Sequence, residues 1–178
     1  MYIARSVRRT NFFFNALNYL VILFGHSYVM TQTAYPFRKV RSKRYHFISV
    51  GKKRIEKAVE FIAIGGNIFN LAFGDLLPDG SIDDKAVSNN GDIVKVLATV
   101  VDILKNFTSL DPGVRVYFLG STPERTKLYS RILRTYYSIF SREFTITGIS
   151  WRNDQFDATA FDPYADWEYE AFLIKRIS

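Results

Sequence analysis

Residues 114–125 read VRVYFLGSTPER and form the most informative stretch of the chain. Its first six residues are rich in β-branched and aromatic side chains, which predicts a strand. Gly120 permits a tight turn after that strand. Ser121 or Thr122 can cap a following helix, and Pro123 suits its first turn. The stretch therefore predicts a strand that passes through a glycine turn into a helix.

The turn is also a candidate site for an anion. A helix that starts there offers free backbone N–H groups and the positive end of its dipole, so Gly120, Ser121 and Thr122 are candidate ligand-binding residues. The sequence lacks the Gly-Lys-Ser/Thr of a Walker motif and the further glycines of a dinucleotide fingerprint. The alternative is a capped turn with a structural role alone.

Arg125 adds a charge to this turn. It lies three residues before Leu128, where an apolar stripe with helical spacing begins, so we expect it on the core-facing side. The solvated side is expected to carry Lys127, Arg131 and Arg134. A buried arginine needs a partner. The candidate acids are Asp75, Asp83, Asp84 and Asp92. Arg125 is then either part of a structural salt bridge or a fourth ligand-binding residue that grips phosphate or carboxylate.

The same acids suggest a different chemistry. Asp75, Asp83 and Asp84 could converge as oxygen ligands of a divalent cation. Asp92 equally suits a helix cap, and Asp75 suits a turn. The chain has no cysteine, and His46 has no ligand-like neighbour in the sequence, so we predict no metal site and no cofactor.

The rest of the chain predicts an α+β domain over residues 45–178. Hydrophobic residues make up 48% and charged residues 23%, which is enough to bury a core and is not typical of disorder. Periodicity gives the order β-β-β-α-β-α-β-β, with a mostly antiparallel sheet packed against two helices. Residues 54–64 are ambiguous, and the Gly65-Gly66-Asn67 turn after them favours a strand. Residues 153–166 are expected to form a polar loop or hairpin tip.

Positive charge is concentrated before this domain. Eight Lys and Arg residues and no acid lie between Arg38 and Arg54, whereas acids outnumber bases from Ile55 onward. We expect residues 30–44 to form a basic arm. It could meet nucleic acid, the phosphate of a nucleotide, or anionic lipid, or it could be a solvated and loosely ordered segment.

The N-terminal residues are mostly apolar. Residues 11–30 follow several arginines and resemble a membrane anchor, but asparagines interrupt them and their length is marginal for a bilayer. We expect residues 1–29 to be an extension upstream of a true start at Met30, which makes the protein cytoplasmic. The alternatives are a membrane-anchored protein and a packed helix.

Several blocks together resemble a bacterial family of small proteins of unknown function. They are NLAFGD at 70–75, SNNGD at 88–92, KVLATV at 95–100, GSTPERT at 120–126 and YEAFL at 169–173. Lys127 stands where the family usually has a second arginine. The resemblance covers most of residues 45–176, implies no known activity, and supports Met30 as the start.

Three functions remain open at this level. The first is a binding module for an anionic ligand, a nucleotide or nucleic-acid phosphate, at residues 120–125. The second is a metal-assisted enzyme directed at phosphoryl groups or nucleotides, with Asp75, Asp83 and Asp84 as ligands. The third is a protein-interaction module without a small-molecule site.

Overall fold

The computed structural model describes residues 34–152 and 154–177, without the side chain of residue 152. The strands within these residues are β1 (Phe37–Arg41), β2 (Arg44–Val50), β3 (Arg54–Gly65), β4 (Ile68–Leu76), β5 (Ile82–Asp83), β6 (Arg115–Phe118), β7 (Phe144–Arg152), β8 (Gln155–Ala160) and β9 (Ala171–Arg176). The helices are α1 (Ile93–Leu110), α2 (Pro123–Thr135) and the short α3 (Tyr137–Phe140).

The nine strands form one sheet in the order β1-β2-β3-β4-β6-β9-β7-β8, and β5 pairs with β4 beside this path. Neighbouring strands are antiparallel except for β4 and β6, which run parallel. Parallel strands need a crossover, and here the chain from β4 to β6 passes through β5 and α1. The predicted α+β class, with a mostly antiparallel sheet and two main helices, is confirmed.

The core lies between one face of the sheet and the helices. Alternate residues of β2 are buried, and Tyr45 of β2 and Phe61 of β3 have relative exposures of 0% and 1%. Phe107 of α1 stacks on Phe61 with ring centroids 3.8 Å apart. Tyr129 of α2 meets Phe118 of β6 edge to face at 6.1 Å. Large aromatic rings on two-residue spacing therefore fix which face of the sheet the helices cover.

Three strands go beyond the predicted order. Phe37–Arg41, inside the expected basic arm, forms edge strand β1 and pairs with β2. Gln155–Ala160, expected as part of a polar loop, forms β8 at the opposite edge. β5 is a two-residue strand that a periodicity argument does not detect. The ambiguous residues 54–64 form β3, as the turn after them predicted.

The prediction that Arg134 lies on the solvated side of α2 is wrong. Arg134 is half-buried and donates hydrogen bonds to the carbonyl oxygens of Pro163, Ala165 and Trp167 at 2.7 to 3.0 Å. Its guanidinium also lies 5.7 Å from the ring centroid of Tyr169. Arg134 thus holds the segment before β9 against α2.

The predictions for residues 1–29 and 11–30 lie outside the described residues. Within the described ranges, no helix is both long and apolar enough to cross a membrane.

Candidate functional site

A crevice opens where the two parallel strands separate. Pairing between β4 and β6 ends at Asn70 and Tyr117, after which β4 continues to Leu76 while the chain leaves β6 for the turn into α2. Beyond that point lies a cavity of about 400 Å³, between β4, the end of β6, α1 and α2. Crevices at the carboxyl ends of parallel strands are common ligand sites in mixed α and β proteins, because the diverging chain leaves room there.

The cavity lining is mostly apolar, and its polar part beside the exposed Asp84 is called the mouth. Six of the apolar lining residues, from β4, α1, β6 and α2, are Leu71, Phe73, Leu97, Val100, Phe118 and Ile132. Asp84, Ser121 and Arg125 line the cavity where the turn before α2 meets the loop after β5. Apolar walls with a few convergent polar groups are the usual construction of a small-molecule site.

Gly120 serves helix packing. A Cβ at this position would lie 2.3 Å from the backbone nitrogen of Thr126 and 2.5 Å from the Cβ of Arg125. The N–H of Gly120 donates to the Thr126 hydroxyl at 3.0 Å, so it is not free for an anion. The glycine therefore lets the first turn of α2 approach the end of β6.

The start of α2 is capped as the sequence predicted. Thr122 is the N-cap residue, its hydroxyl accepts from the backbone N–H of Arg125 at 3.4 Å, and Pro123 occupies the first turn. Glu124 follows, and its own backbone N–H together with the Thr122 hydroxyl lowers the pKa of its carboxyl group. A side-chain carboxylate already accompanies the positive end of this helix, so the helix end alone is a weak anion site.

Arg125 holds the loop after β5 over the mouth of the cavity. Its guanidinium donates to the carbonyl oxygen of Ala86 at 2.6 Å and to the Ser121 hydroxyl at 3.1 Å. Ser121 in turn donates to the carbonyl oxygen of Asp84 at 2.7 Å. Arg125 is half-buried, and no carboxylate within residues 34–152 and 154–177 forms an ion pair with it. Its described partners are neutral oxygens.

The four candidate acids do not converge on Arg125. Asp75 forms an ion pair with the buried Lys57. Asp83 accepts the backbone N–H groups of Lys85 and Ala86 at 2.9 and 3.0 Å.

Asp92 and Asp84 complete this set. Asp92 occupies the N-cap position of α1, but its side chain makes no cap hydrogen bond and accepts instead from the hydroxyls of Tyr35 and Ser49 at 2.8 and 2.6 Å. Only Asp84 lines the cavity with Arg125. Of the four acids, three have structural partners away from the cavity.

A metal site is not supported by these positions. Asp75 and Asp83 are paired across β4 and β5, and Asp84 follows directly. Among the described residues, however, no group of three or more His, Cys, Asp or Glu side chains is placed to hold a metal ion. The side chains of Asp75 and Asp83 already accept hydrogen bonds from Lys57 and from the backbone N–H groups of Lys85 and Ala86.

The pKa of Tyr129 is shifted by its surroundings in the cavity wall. Burial raises the pKa of its phenol, Arg125 opposes this shift, and Asp84 adds to it. The phenol is therefore neutral at physiological pH and retains its O–H as a donor. Arg125 and Asp84 both act on the Tyr129 phenol, which places one cation and one acid beside an apolar wall.

The basic segment from Arg38 to Arg54 lies elsewhere on the sheet. Its residues belong to β1, β2 and the turns beside them, and Lys52, Lys53 and Arg54 are exposed. Arg44 instead pairs with Glu60 at 3.3 Å. No residue before Asn70 contributes to the described cavity lining. The basic segment and the candidate site are separate features.

Sequence reasoning missed the cavity. Its apolar lining residues have the same periodicity as core residues, so no local signal separates the wall of a crevice from a filled core. The closest signal was the position of Arg125 on the core-facing side of α2, which indicated a charge that needed a partner.

Comparison with known proteins identifies a family. No curated protein and no solved structure matches the chain. A family model described as "Family of unknown function (DUF6934)" matches residues 31–177. This range includes all the sequence blocks that suggested a family of unknown function, and that resemblance is confirmed. Because the match covers most of its 178 residues, the chain belongs to this family of unknown function, DUF6934.

Proposed function

We propose that the protein is a binding module for a small anionic ligand, whose charged group meets Arg125 and Ser121 at the mouth of the cavity. One observation carries the proposal: a half-buried guanidinium lines an apolar cavity and has no carboxylate partner among the described residues. The sequence suggested this ligand class at residues 120–125, with nucleotide or nucleic-acid phosphate as examples.

The capacity of Arg125 supports the proposal. A guanidinium has five N–H donors. The described contacts with Ala86 and Ser121 use one N–H on each of its two terminal nitrogens. Neutral oxygens satisfy those donors but leave the positive charge uncompensated, and removing such a charge from water is costly. An anion at the mouth supplies the missing charge through charge-assisted hydrogen bonds.

The test compares the Arg125→Gln and Lys127→Gln variants. Lys127 lies on the same helix, is exposed and pairs with Glu168, so its removal changes net charge equally without touching the cavity. The melting temperature of the full chain is measured with and without inorganic phosphate, AMP or octanoate. A ligand at a hundred times its Kd stabilises the protein by about 2.7 kcal/mol, which raises the melting temperature by roughly 5–10 °C for this size.

We expect at least one of these anions to raise the melting temperature of the wild type and of Lys127→Gln but not of Arg125→Gln. Without ligand, Arg125→Gln should cost about 1–2 kcal/mol, because a partly exposed charge-assisted hydrogen bond to Ala86 is lost. If that variant does not fold, Arg125→Lys keeps the charge and takes its place, with weakened binding expected. The proposal fails if no anion stabilises the wild type, or if the shift persists in Arg125→Gln.

A further inference from the structure

We infer that the ligand of this site is an amphipathic monocarboxylate, with its apolar body in the cavity and its carboxylate at Arg125. The inference rests on the proposed anion-binding function and adds the chemical class of the ligand. Three features carry it: the apolar character of the walls, the charges at the mouth, and the size of the cavity.

The walls favour an apolar body. Leu97, Val100 and Leu104 of α1 line the cavity together with Phe118 and Ile132. The ribose and base of a nucleotide carry many donors and acceptors, and each one buried without a partner costs free energy. These side chains offer none of the required partners, and the Asn70 and Tyr129 side chains in the same lining are too few for all the polar groups of a nucleotide. A hydrocarbon chain or aromatic ring gains free energy from the same walls.

The charges at the mouth favour a single negative charge. Among the described lining residues, Arg125 is the one cation and Asp84 the one acid. A phosphate monoester carries about −1.5 to −2 charges at neutral pH, more than one guanidinium balances, and the Asp84 carboxylate would repel it. A carboxylate carries one charge, and its planar pair of oxygens fits the fork of an arginine.

The size of the cavity favours a compact ligand. A volume of about 400 Å³ lies at the low end of the range for small-molecule sites. Apolar cavities of smaller volume bind apolar molecules because water gains too few hydrogen bonds inside them. A chain or ring system that fills this volume leaves its charged end at the mouth, where Arg125 and Ser121 lie.

The experiment measures the affinity of the full chain for straight-chain carboxylates by titration calorimetry. The series runs from butanoate to dodecanoate, with every ligand below its critical micelle concentration. Each added methylene should raise affinity about fourfold until the cavity is full, after which the affinity should level off. The alcohol with the same chain should bind about tenfold to a hundredfold more weakly, because it lacks the charge-assisted contact.

Two variants locate the two ends of the ligand. Arg125→Gln should reduce carboxylate affinity to that of the alcohol, whereas Lys127→Gln should leave it unchanged. Val100→Phe places a larger side chain in the wall, so affinity should level off at a shorter chain. If Val100→Phe does not fold, the position of the plateau in the wild-type series still tests the cavity.

The outcomes separate this inference from the proposed function. Binding of AMP or inorganic phosphate that depends on Arg125, without binding of the carboxylates, overturns the ligand class and leaves the anion site standing. If carboxylate and alcohol bind with equal affinity, and Arg125→Gln does not change that affinity, both the ligand class and the anion site are wrong. Carboxylate binding that depends on Arg125 but does not rise with chain length also overturns the inference, because the apolar body then lies outside the cavity.

Discussion

Replacement of Gly120 by alanine tests whether this glycine serves helix packing or a phosphate loop. The added Cβ would lie 2.3 Å from the backbone nitrogen of Thr126, 2.5 Å from the Cβ of Arg125 and 2.6 Å from the Arg125 carbonyl carbon. Ordinary contacts of a Cβ begin near 3.4 Å. Two of these three atoms belong to the backbone, so no side-chain rotation relieves the overlap. The first turn of α2 has to move by about 1 Å.

That movement sets the expected cost. Overpacking of this kind costs about 1–3 kcal/mol, and loss of the buried hydrogen bond from the Gly120 N–H to the Thr126 hydroxyl adds about 1 kcal/mol. We therefore expect Gly120→Ala to lower the free energy of unfolding by about 2–4 kcal/mol. With a urea m-value near 2 kcal/mol/M, the unfolding midpoint falls by about 1–2 M.

Gly113→Ala provides the matched control. A Cβ there would lie 3.1 Å from Oδ1 of Asp111 and 3.3 Å from Nδ2 of Asn67, and both are ends of side chains that can move. Its expected cost is below about 1 kcal/mol. Urea denaturation followed by circular dichroism measures both variants. If Gly120→Ala is as stable as Gly113→Ala, the packing argument is wrong, and a Gly120→Ala variant that loses only phosphate binding would favour a phosphate loop.

Two further changes test other parts of the fold. His46 accepts a hydrogen bond from Nε of Arg44 at 3.1 Å, and burial followed by the charge of Arg44 lowers the pKa of His46 below its ordinary 6.5. The folded state then binds fewer protons than the unfolded state, so we expect the urea midpoint to fall as the pH drops below about 6.5, and to fall less in His46→Gln. A wild-type midpoint that is constant between about pH 7.5 and 5.5 would contradict this. Asn90 is buried and bonds the Ser49 hydroxyl at 2.7 Å and the backbone N–H and carbonyl of Lys53 at 2.8 and 3.0 Å. Asn90→Ala should lower the free energy of unfolding by about 2–4 kcal/mol, and a loss under 1 kcal/mol would show that these bonds are replaced by water.

Elements with strong local signals could be predicted from the sequence. The strand and capped helix on either side of Gly120 follow from residue types at fixed offsets, and the structure has them at β6 and α2. Edge strand β1 could not be predicted in the same way. Arg38, Lys39 and Arg41 give it the composition of a solvated arm, and sheet edges carry such charges because they discourage pairing with other chains. One composition therefore fits two structures, and only the contacts with β2 distinguish them.

The roles of the side chains in the SNNGD block, residues 88–92, also could not be predicted from residue types alone. Its Asp92 suggested a helix cap, which is a local function. In the structure, Asn90 and Asp92 reach back to Ser49 on β2, more than 40 residues earlier in the chain. They anchor the segment before α1 to the sheet through buried hydrogen bonds. Capping and long-range anchoring use the same polar side chains, so the residue types alone do not separate the two roles.

The contacts of Arg125 also could not be predicted from the sequence, and they define the candidate site. Helical spacing could predict that it faces inward and needs a partner, but the expected partner was an acid. The structure provides the Ala86 carbonyl oxygen, 39 residues earlier in the chain, and the nearby Ser121 hydroxyl. These neutral partners orient the guanidinium without cancelling its charge. An acid at the same distance would have completed a structural ion pair and left nothing to recognise, whereas the carbonyl leaves an oriented charge beside an apolar cavity. The neutrality of its partner is therefore the reason to regard Arg125 as part of a binding site.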